Sequence, residues 1–396
     1  MAIYFIQILA IVAVGAVSNA NKSDRARKRF LLFVFGLLIL VAALRSVNVG
    51  TDLATHYARR YVQVASYSWS QIPEFSTMTT YELGYCYLTK FLSSICPHVQ
   101  FYIAMTSIFV YGVTARFIYK NSCDVKISTY VFVLTCTYYN YMNIVRQAIA
   151  ISIILLGYEF LKKETNKLKN YSVFVAFVIV AATIHSSAVL CLLLILFKEL
   201  KFKRKHILIG AVCTVIFYLM YQQIFSFVLN LFGLSGEYAG YLTKEAESVG
   251  HINKQSIYMF ITIAMAFVIG CITLVIERKV QSKYDENSNE ENDYLLTNNE
   301  GFLLYTGLLA TVCRLMVFRM NIINRYSYFF LPFVLLLYPL AIYNCKLKSN
   351  RKVVKWIVYI ILAIYFVWMT VAYEASFHQT VPYEFFWQCN NNFFYK

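Results

Sequence analysis

Long apolar runs, separated by short polar segments, recur along most of the chain. A helix needs about 20 mostly apolar residues to cross a bilayer. We predict a membrane-spanning helix in each of ten runs: 2–18, 30–47, 99–119, 127–143, 144–161, 207–222, 256–276, 301–318, 322–345 and 356–373. The first run has no Lys or Arg, which signal peptides normally carry, so we expect a retained helix. The pattern predicts an all-α polytopic membrane protein with a single integral membrane domain, residues 1–396.

Two further apolar stretches do not fit a simple crossing. Residues 81–96 form a short stretch that contains Lys90, and we expect an interfacial or re-entrant helix there. Residues 171–197 carry His185 in their middle, and they are too few to cross twice, which takes about 35–40 residues. We predict that this segment dips into the membrane and returns as a helical hairpin with His185 near its tip. One long tilted span is the alternative.

Basic residues set the predicted orientation. Of the 36 Lys and Arg residues, 25 lie in six short segments: 19–29, 114–126, 162–170, 198–206, 277–299 and 344–355. Because cytoplasmic loops are enriched in Lys and Arg, we assign all six to the cytoplasm, which places both termini outside. The outer segments are then the loops 45–98 and 223–255 and the tail 374–396, and 277–299 is a flexible cytoplasmic loop.

Composition excludes several classes of protein. The chain is 59% hydrophobic and 14% charged, whereas soluble domains are about 25% charged, so a soluble enzyme and a disordered protein are excluded. The net charge of +16 lies mostly in the six cytoplasmic segments. We therefore attribute this charge to the orientation of the protein in the membrane, and we expect no nucleic-acid partner. The ten cysteines include no CxxC pair and no Cys/His cluster, so we infer no metal site, no cofactor and no disulfide framework.

Five arginines remain at or within predicted spans, near the outer leaflet: Arg45, Arg146, Arg314, Arg319 and Arg325. A charged side chain in the membrane costs about 2.5–3.5 kcal/mol on insertion scales. One such arginine can snorkel to headgroups or pair with an acid. Five at one level favour an anion site, because guanidinium groups bind phosphate bidentately and stay charged.

Three acid–base candidates lie in the same region. Asp52 follows Gly50 and could cap a helix, act as a general base, or hold an arginine or a sugar hydroxyl. Glu82 opens the short outer segment, where it could favour a helix N-terminus or activate a hydroxyl. His185 is either a satisfied core residue or a cavity-lining base.

A polar stripe begins the run 144–161. Asn143, Arg146, Gln147 and Ala150 share one helical face at spacings of three, four and seven residues. Such a stripe is expected to face the bundle interior or a wet cavity. Helix–helix hydrogen bonding is the alternative role.

The ordered motifs resemble a known family. They are R-x4-G-T-D-x4-Y (Arg45 to Tyr57), E-x-G-Y (Glu82 to Tyr85), N-x-x-R-Q-x-x-A (Asn143 to Ala150), H-x-S-A (His185 to Ala188), R-x5-R-Y (Arg319 to Tyr326) and V-P-Y-x-F (Val381 to Phe385). This set resembles the EpsG family of bacterial membrane proteins, which is related to Wzy-type polysaccharide polymerases. The resemblance implies a GT-C-like architecture and a metal-independent glycosyltransferase in the cytoplasmic membrane.

The implied reaction joins polyprenyl-diphosphate-linked oligosaccharide repeat units at the outer membrane face into extracellular, capsular or O-antigen polysaccharide. Polyprenyl diphosphate is the leaving group. The expected partners are that lipid-linked substrate and the bilayer, and a chain-length regulator is a candidate. A lipid-linked oligosaccharide flippase, an O-antigen-ligase-type transferase and a polysaccharide O-acyltransferase are the alternatives.

Roles are assigned as hypotheses. Glu82 is the leading base, with Asp52 and His185 as the other candidates. Arg146, Arg319 and Arg325 are expected on the diphosphate, and Arg45 and Asp52 could order the outer loop or hold sugar. The remaining expected substrate-binding residues are Tyr57, Tyr85, Asn143, Gln147 and Arg314.

Overall fold

The computed structural model describes residues 1–231, 254–276, 296–320, 323–345, 348–372, 379–389 and 394. In these residues every regular element is helical, and strand pairing is limited to one antiparallel bridge between Arg45 and Phe385. The all-α prediction is confirmed for this part of the chain. Most of the predicted loops 223–255 and 277–299 and much of the tail 374–396 lie outside the described residues.

The described residues form seventeen α-helices. In chain order they are α1 (Ala2–Val17), α2 (Asp24–Ala43), α3 (Arg59–Ala65), α4 (Ile72–Thr79), α5 (Leu83–Ile95), α6 (Val99–Asn121), α7 (Val125–Leu134), α8 (Thr137–Asn143), α9 (Val145–Leu161), α10 (Lys167–Ile184), α11 (Leu193–Glu199), α12 (Arg204–Leu219), α13 (Tyr221–Leu231), α14 (Lys254–Gly270), α15 (Asn298–Met316), α16 (Ile323–Tyr343) and α17 (Lys348–Val371). A π-helix, Leu53–Ala58, precedes α3, and another, Cys271–Ile276, follows α14. Short 3₁₀ helices cover Trp69–Gln71, Ser186–Leu192 and Phe386–Gln388.

The chain forms two compact units. Unit 1 contains Met1–Leu192 and Leu362–Lys396, and unit 2 contains Leu193–Ile361. Unit 1 therefore joins the first half of the chain to its end. The prediction of one membrane domain concerns the chain as a whole and stays a prediction.

Five described helices are long and apolar enough to cross a membrane: Val99–Asn121, Lys167–Ile184, Ser256–Ile276, Ile323–Tyr343 and Asn350–Val371. Four of them coincide with predicted spans. The fifth is α10, which lies in the segment predicted to form a hairpin. Shorter apolar helices cover Ala2–Val17, Val125–Leu134 and Lys205–Leu219, within or close to three further predicted spans. The helices fit a polytopic membrane protein, and the number of ten spans stays a prediction.

The predicted single helix 127–143 is wrong, because the structure breaks it into α7 and α8. Cys136 lies between them in the left-handed region, with a φ of 59°. The Thr135 hydroxyl donates to the Val131 carbonyl and contacts the Thr137 hydroxyl. Local bonds of this kind compete with the helical ladder, and an apolar run does not reveal them.

The chain also breaks at His185, as the hairpin prediction requires. α10 ends at Ile184, and His185 is extended, with φ −153° and ψ 109°. Val175 of α10 and Leu192 of the following 3₁₀ helix line the same cavity. The 3₁₀ helix therefore lies beside α10, and because α10 alone is long enough to cross a membrane, the hairpin within the membrane stays a prediction.

The short apolar stretch 81–96 forms α5, with 13 residues. At 1.5 Å per residue α5 is about 20 Å long, shorter than the hydrocarbon core of about 30 Å. Its Lys90 is buried, and Lys90 Nζ donates to the carbonyls of Val64 and Ala65 at the end of α3. A cation at this helix end stabilises the last carbonyls of α3.

The substitution Lys90→Met keeps the aliphatic stem and leaves the two carbonyls of α3 without their charged donor. We expect a loss of about 1.5–3 kcal/mol of stability, the usual worth of a hydrogen bond to a charged group. The measurement is the thermal unfolding midpoint of the detergent-purified protein. Lys22→Met, at an exposed position, is the control. Equal midpoints for the two variants would contradict this role of Lys90.

Candidate functional site

The Glu82 carboxylate joins three segments that are far apart in sequence. Its Oε2 accepts a hydrogen bond from Arg146 Nη1 at 2.5 Å, which is also an ion pair. Its Oε1 accepts from the backbone N–H of Ser186 at 2.8 Å, and His185 Nδ1 lies 3.8 Å from the same oxygen. The structure thus brings together Glu82, Arg146 and His185, three residues that the sequence selected separately.

Local structure explains why Glu82 can make these contacts. Glu82 occupies the N-cap position of α5, with extended backbone and no side-chain capping bond. Its carboxylate therefore lies near the positive end of α5 while its oxygens remain available to other segments. The side chains of Arg146 and Glu82 are 14% and 21% exposed, so the pair is shielded but reachable.

The glycine of E-x-G-Y allows α5 to approach α10. A Cβ atom on Gly84 would lie 2.2 Å from Thr183 Oγ1 and 2.7 Å from the Thr183 carbonyl oxygen. Only glycine fits this contact without a shift of one helix. The close approach sets Glu82 beside the break at His185 and Ser186.

Tyrosine rings hold the Arg146 guanidinium from the other side. Its central carbon lies 4.6 Å from the Tyr81 ring centroid and 5.9 Å from that of Tyr85. The Tyr57 ring lies 6.3 Å from Tyr81 and 6.2 Å from Tyr85. Cations are attracted to such ring faces. Burial raises the pKa of the Tyr81 hydroxyl, and the positive charges of Arg146 and Arg60 partly oppose this.

Two of these tyrosines were predicted to bind substrate, and the structure places both in the core. Tyr85 is 1% exposed, and its hydroxyl lies 2.7 Å from the Tyr102 hydroxyl. Tyr57 is also buried. Both are positioned to orient Arg146. Sequence analysis missed Tyr81, although it directly precedes Glu82.

An apolar cavity of about 450 Å³ lies against Glu82. Its other walls are Leu83, Thr183 and aliphatic side chains of α10 and the following 3₁₀ helix: Val175, Val178, Ile179, Ala182, Val189 and Leu192. A carboxylate with its paired guanidinium therefore borders an apolar space. This arrangement suits an amphiphilic ligand, whose polar head and apolar tail need adjacent but different surroundings.

The R-x4-G-T-D segment docks on the junction of α8 and α9. Arg45 is 2% exposed, and its guanidinium donates to the Ala42 carbonyl, to Ser107 Oγ at 3.1 Å and to the Met142 carbonyl at 3.2 Å. Gly50 adopts a φ of 108°, which favours glycine, and a Cβ atom there would lie 3.3 Å from the Met142 carbonyl oxygen. Arg45 thus orders the outer segment.

The prediction that Asp52 caps a helix is wrong. Its side chain makes no capping bond, and its backbone is already helical, with φ −75° and ψ −19°. An N-cap residue needs extended backbone to turn its side chain onto the helix. Instead, the Asp52 N–H donates to Asn143 Oδ1 at 2.9 Å. Since Asn143 precedes Arg146 by three residues, this bond ties the segment around Asp52 to the start of α9.

The polar stripe on α9 faces the interior, as predicted. Asn143 and Gln147 are each 3% exposed, and Ala150 is fully buried. Arg146 is the member of the stripe that reaches the Glu82 carboxylate.

The other three arginines lie in unit 2. Arg314 is 2% exposed, its Nη1 donates to Asn324 Oδ1 and Met259 Sδ, and its central carbon lies 4.7 Å from the Tyr328 ring centroid. Its Nε and Nη2 atoms have no hydrogen-bond partner in the described structure. Arg319 lies 4.5 Å from the Tyr218 ring centroid, and Arg325 is exposed. The five arginines divide between two units, and their convergence on one anion stays a prediction.

Within the described residues, no group of three or more His, Cys, Asp or Glu side chains could hold a metal ion. The ten cysteines are free thiols.

Comparison with known proteins identifies the family. A family model described as the EpsG family matches residues 28–385. No curated protein and no solved structure matches the chain. Because the family match covers nearly the whole chain, the protein belongs to the EpsG family, whose members are Wzy-like polymerases. The resemblance inferred from the ordered motifs is confirmed.

The substitution Gly84→Ala is expected to push α5 away from α10 and to weaken the contact of Glu82 with Ser186. We expect a lower thermal midpoint and reduced polysaccharide output in cells. Gly112→Ala is the matched control, because nothing lies within 4 Å of a Cβ atom at that helical position. The control should be neutral or stabilising by up to about 1 kcal/mol. If Gly84→Ala behaves like Gly112→Ala, close packing at Gly84 does not position the site.

Proposed function

We propose that this EpsG family protein polymerises polyprenyl-diphosphate-linked oligosaccharide repeat units at the outer face of the bacterial cytoplasmic membrane. The family supports a polysaccharide polymerase in exopolysaccharide biosynthesis. A hydroxyl at the non-reducing end of an incoming lipid-linked unit attacks the anomeric carbon of the growing chain's reducing-end sugar. The bond from that carbon to the diphosphate oxygen breaks, polyprenyl diphosphate leaves, and a base takes the hydroxyl proton.

The observation that carries the proposal is the carboxylate–guanidinium pair at the edge of the apolar cavity. Glu82 is the base, because it is the carboxylate beside both a cation and an apolar space. A positioned base of this kind contributes about 10²–10⁴-fold to rate. Arg146 offers a fixed positive charge where the diphosphate gains negative charge as it leaves.

The ion pair suggests how binding and proton transfer are coupled. Before substrate binds, Arg146 neutralises Glu82 at 2.5 Å. The buried Nε of Arg146 has no hydrogen-bond partner among the described residues, so the guanidinium retains a donor for a second anion. When the diphosphate draws the guanidinium toward itself, the ion pair opens and Glu82 Oε2 becomes available to the attacking hydroxyl.

The other candidate residues have supporting roles in this proposal. Tyr57 and Tyr85 orient Arg146, while Arg45, Asp52 and Asn143 hold the outer segment against α9. Gln147 is a further substrate-binding residue, and His185, whose Nδ1 lies 3.8 Å from Glu82 Oε1, is the alternative base. Arg314, Arg319 and Arg325 provide further charge for the diphosphate.

The proposal also includes the predicted membrane arrangement. Ten spans in a GT-C-like architecture place both termini and the site outside. Arginines take the place of a metal cation at the diphosphate. A chain-length regulator is the proposed protein partner.

Glu82→Gln should abolish most polymerisation while preserving the fold, because glutamine keeps the shape and the acceptor oxygen but cannot take the proton. We expect a fall of about 10²-fold or more in the rate of polymer formation from purified lipid-linked repeat units. Glu74→Gln, at an exposed position on α4, is the matched control. A rate for Glu82→Gln equal to that of the control would exclude Glu82 as the base.

Arg146→Ala and Arg319→Ala test the diphosphate assignment. Loss of a charge that stabilises the leaving group should lower the rate by about 10²–10³-fold. Arg59→Ala, at an exposed outer position, is the control. If both variants insert normally and still produce polymer of wild-type length, the assignment is wrong.

The lipid-linked pool of the Arg146→Ala strain separates polymerase from flippase. A blocked polymerase leaves single repeat units on the outer face of the membrane, where added glycosidase reaches them in intact spheroplasts. Accumulation on the inner face would indicate a flippase and would contradict the proposed reaction.

A further inference from the structure

A second cavity, of about 660 Å³, opens beside the segment 379–389 in unit 1. It is lined by Asn48, Gln379, Val381, Pro382, Glu384 and Gln388, and we call it the tail groove. Four of these six residues carry an amide or a carboxylate. The groove includes most of the V-P-Y-x-F motif, for which the proposed reaction has no role.

Backbone bonds fix the walls of the tail groove. The N–H of Ser46 donates to the Glu384 carbonyl at 2.8 Å, and the N–H of Gly50 donates to the Gln379 carbonyl at 3.1 Å. The Tyr4 hydroxyl donates to the Thr380 carbonyl at 2.6 Å. A groove held in this way loses little conformational freedom when a ligand binds.

The polar side chains of the tail groove match the needs of sugar hydroxyls. Asn48 Nδ2 donates to Glu384 Oε2 at 2.9 Å, and Gln388 Oε1 accepts from the Phe385 N–H at 2.9 Å. These bonds orient planar groups that together still offer donors and acceptors. Each hydroxyl of a sugar both donates and accepts, so such mixed sets suit neighbouring hydroxyls.

An aromatic cluster lies in the sequence between the groove residues Glu384 and Gln388. The rings of Phe385 and Trp387 stack with centroids 4.4 Å apart and planes 9° apart, and Phe386 meets Trp387 edge-on at 5.0 Å. Trp387 is nevertheless 59% exposed. The face of an indole is negative, and the C–H bonds on one face of a pyranose are weakly positive, so the two surfaces attract each other.

We propose that the tail groove is a saccharide-binding subsite, which holds sugar residues of the oligosaccharide near the reacting centre. The inference rests on the proposed function. No Lys or Arg is among the described residues that line the groove, and Glu384 disfavours anions, so its ligand is the neutral sugar portion of the substrate and not the diphosphate. Asn48 lies four residues before Asp52. The Asp52 N–H donates to Asn143, which is three residues from Arg146. One short segment therefore joins the subsite to the proposed catalytic groups.

The test is direct binding of lipid-free saccharide to the purified full-length protein. The probes are oligosaccharides of one to three repeat units, prepared by partial depolymerisation of the polysaccharide that the native cells secrete, with maltotriose for comparison. Saturation-transfer NMR measures binding without any turnover. We expect Trp387→Ala and Glu384→Gln to raise Kd about tenfold or more, a change of about 1.4 kcal/mol. Trp69→Ala, an exposed tryptophan that stacks on Tyr87 outside the groove, should leave Kd unchanged.

A second measurement separates this inference from the proposed function. In polymerisation assays the groove variants should raise KM for the lipid-linked unit and shorten the product. Wild-type affinity in both groove variants would overturn the subsite. If Trp387→Ala instead lowers membrane insertion with Kd unchanged, Trp387 is an interfacial anchor and the subsite is also overturned. If the wild type binds the oligosaccharide through the groove but forms no polymer, the subsite stands and the polymerase function fails.

Discussion

The site depends on one carboxylate that three chain segments share. Glu82 links the start of α9 to the break after α10. It accepts one hydrogen bond from Arg146 of α9 and one from the Ser186 N–H after the break. Breaking a fully buried pair by removing one partner costs about 3–5 kcal/mol. Because Glu82 and Arg146 remain partly exposed, the loss of stability on removing one of them is smaller. Removing Glu82 would also break the link between the start of α9 and the end of α10. The contact of Gly84 with Thr183 is the steric condition for this arrangement.

In the proposed reaction, the carboxylate of Glu82 and the guanidinium of Arg146 therefore serve both the stability of the fold and the chemistry. A carboxylate paired with an arginine is well placed structurally, but its Oε2 is occupied by the guanidinium while the pair is intact. The proposed reaction resolves this conflict, because the anion that must be neutralised competes for the same guanidinium. In the proposed reaction, the apolar cavity beside the pair is available to the lipid part of the substrate, and the tail groove is available to its sugars.

The helical class and the family could be predicted from the sequence, because long apolar runs and ordered motifs are properties of composition and order. The meeting of Glu82, Arg146 and His185 was foreseeable only in part. Each residue was conspicuous as a polar group in an apolar segment, but the ion pair depends on tertiary packing. Arg45 shows the limit of sequence-based prediction most clearly. Its charge suggested an anion site, whereas in the fold its guanidinium donates to the carbonyls of Ala42 and Met142. The break at Cys136 was unpredictable for a related reason: hydrophobicity reports burial, whereas hydroxyl-to-backbone bonds decide helix continuity.

The junction between the beginning and the end of the chain has a consequence for biosynthesis. Tyr4 binds the Thr380 carbonyl across 376 positions of sequence, and Arg45 pairs with Phe385. Unit 1 therefore cannot close while the ribosome is still making the intervening helices, and contacts of such long range form late in folding. The tail groove and the segment 45–57 therefore reach their final arrangement only after residues 379–389 have been made and have joined the first half of the chain.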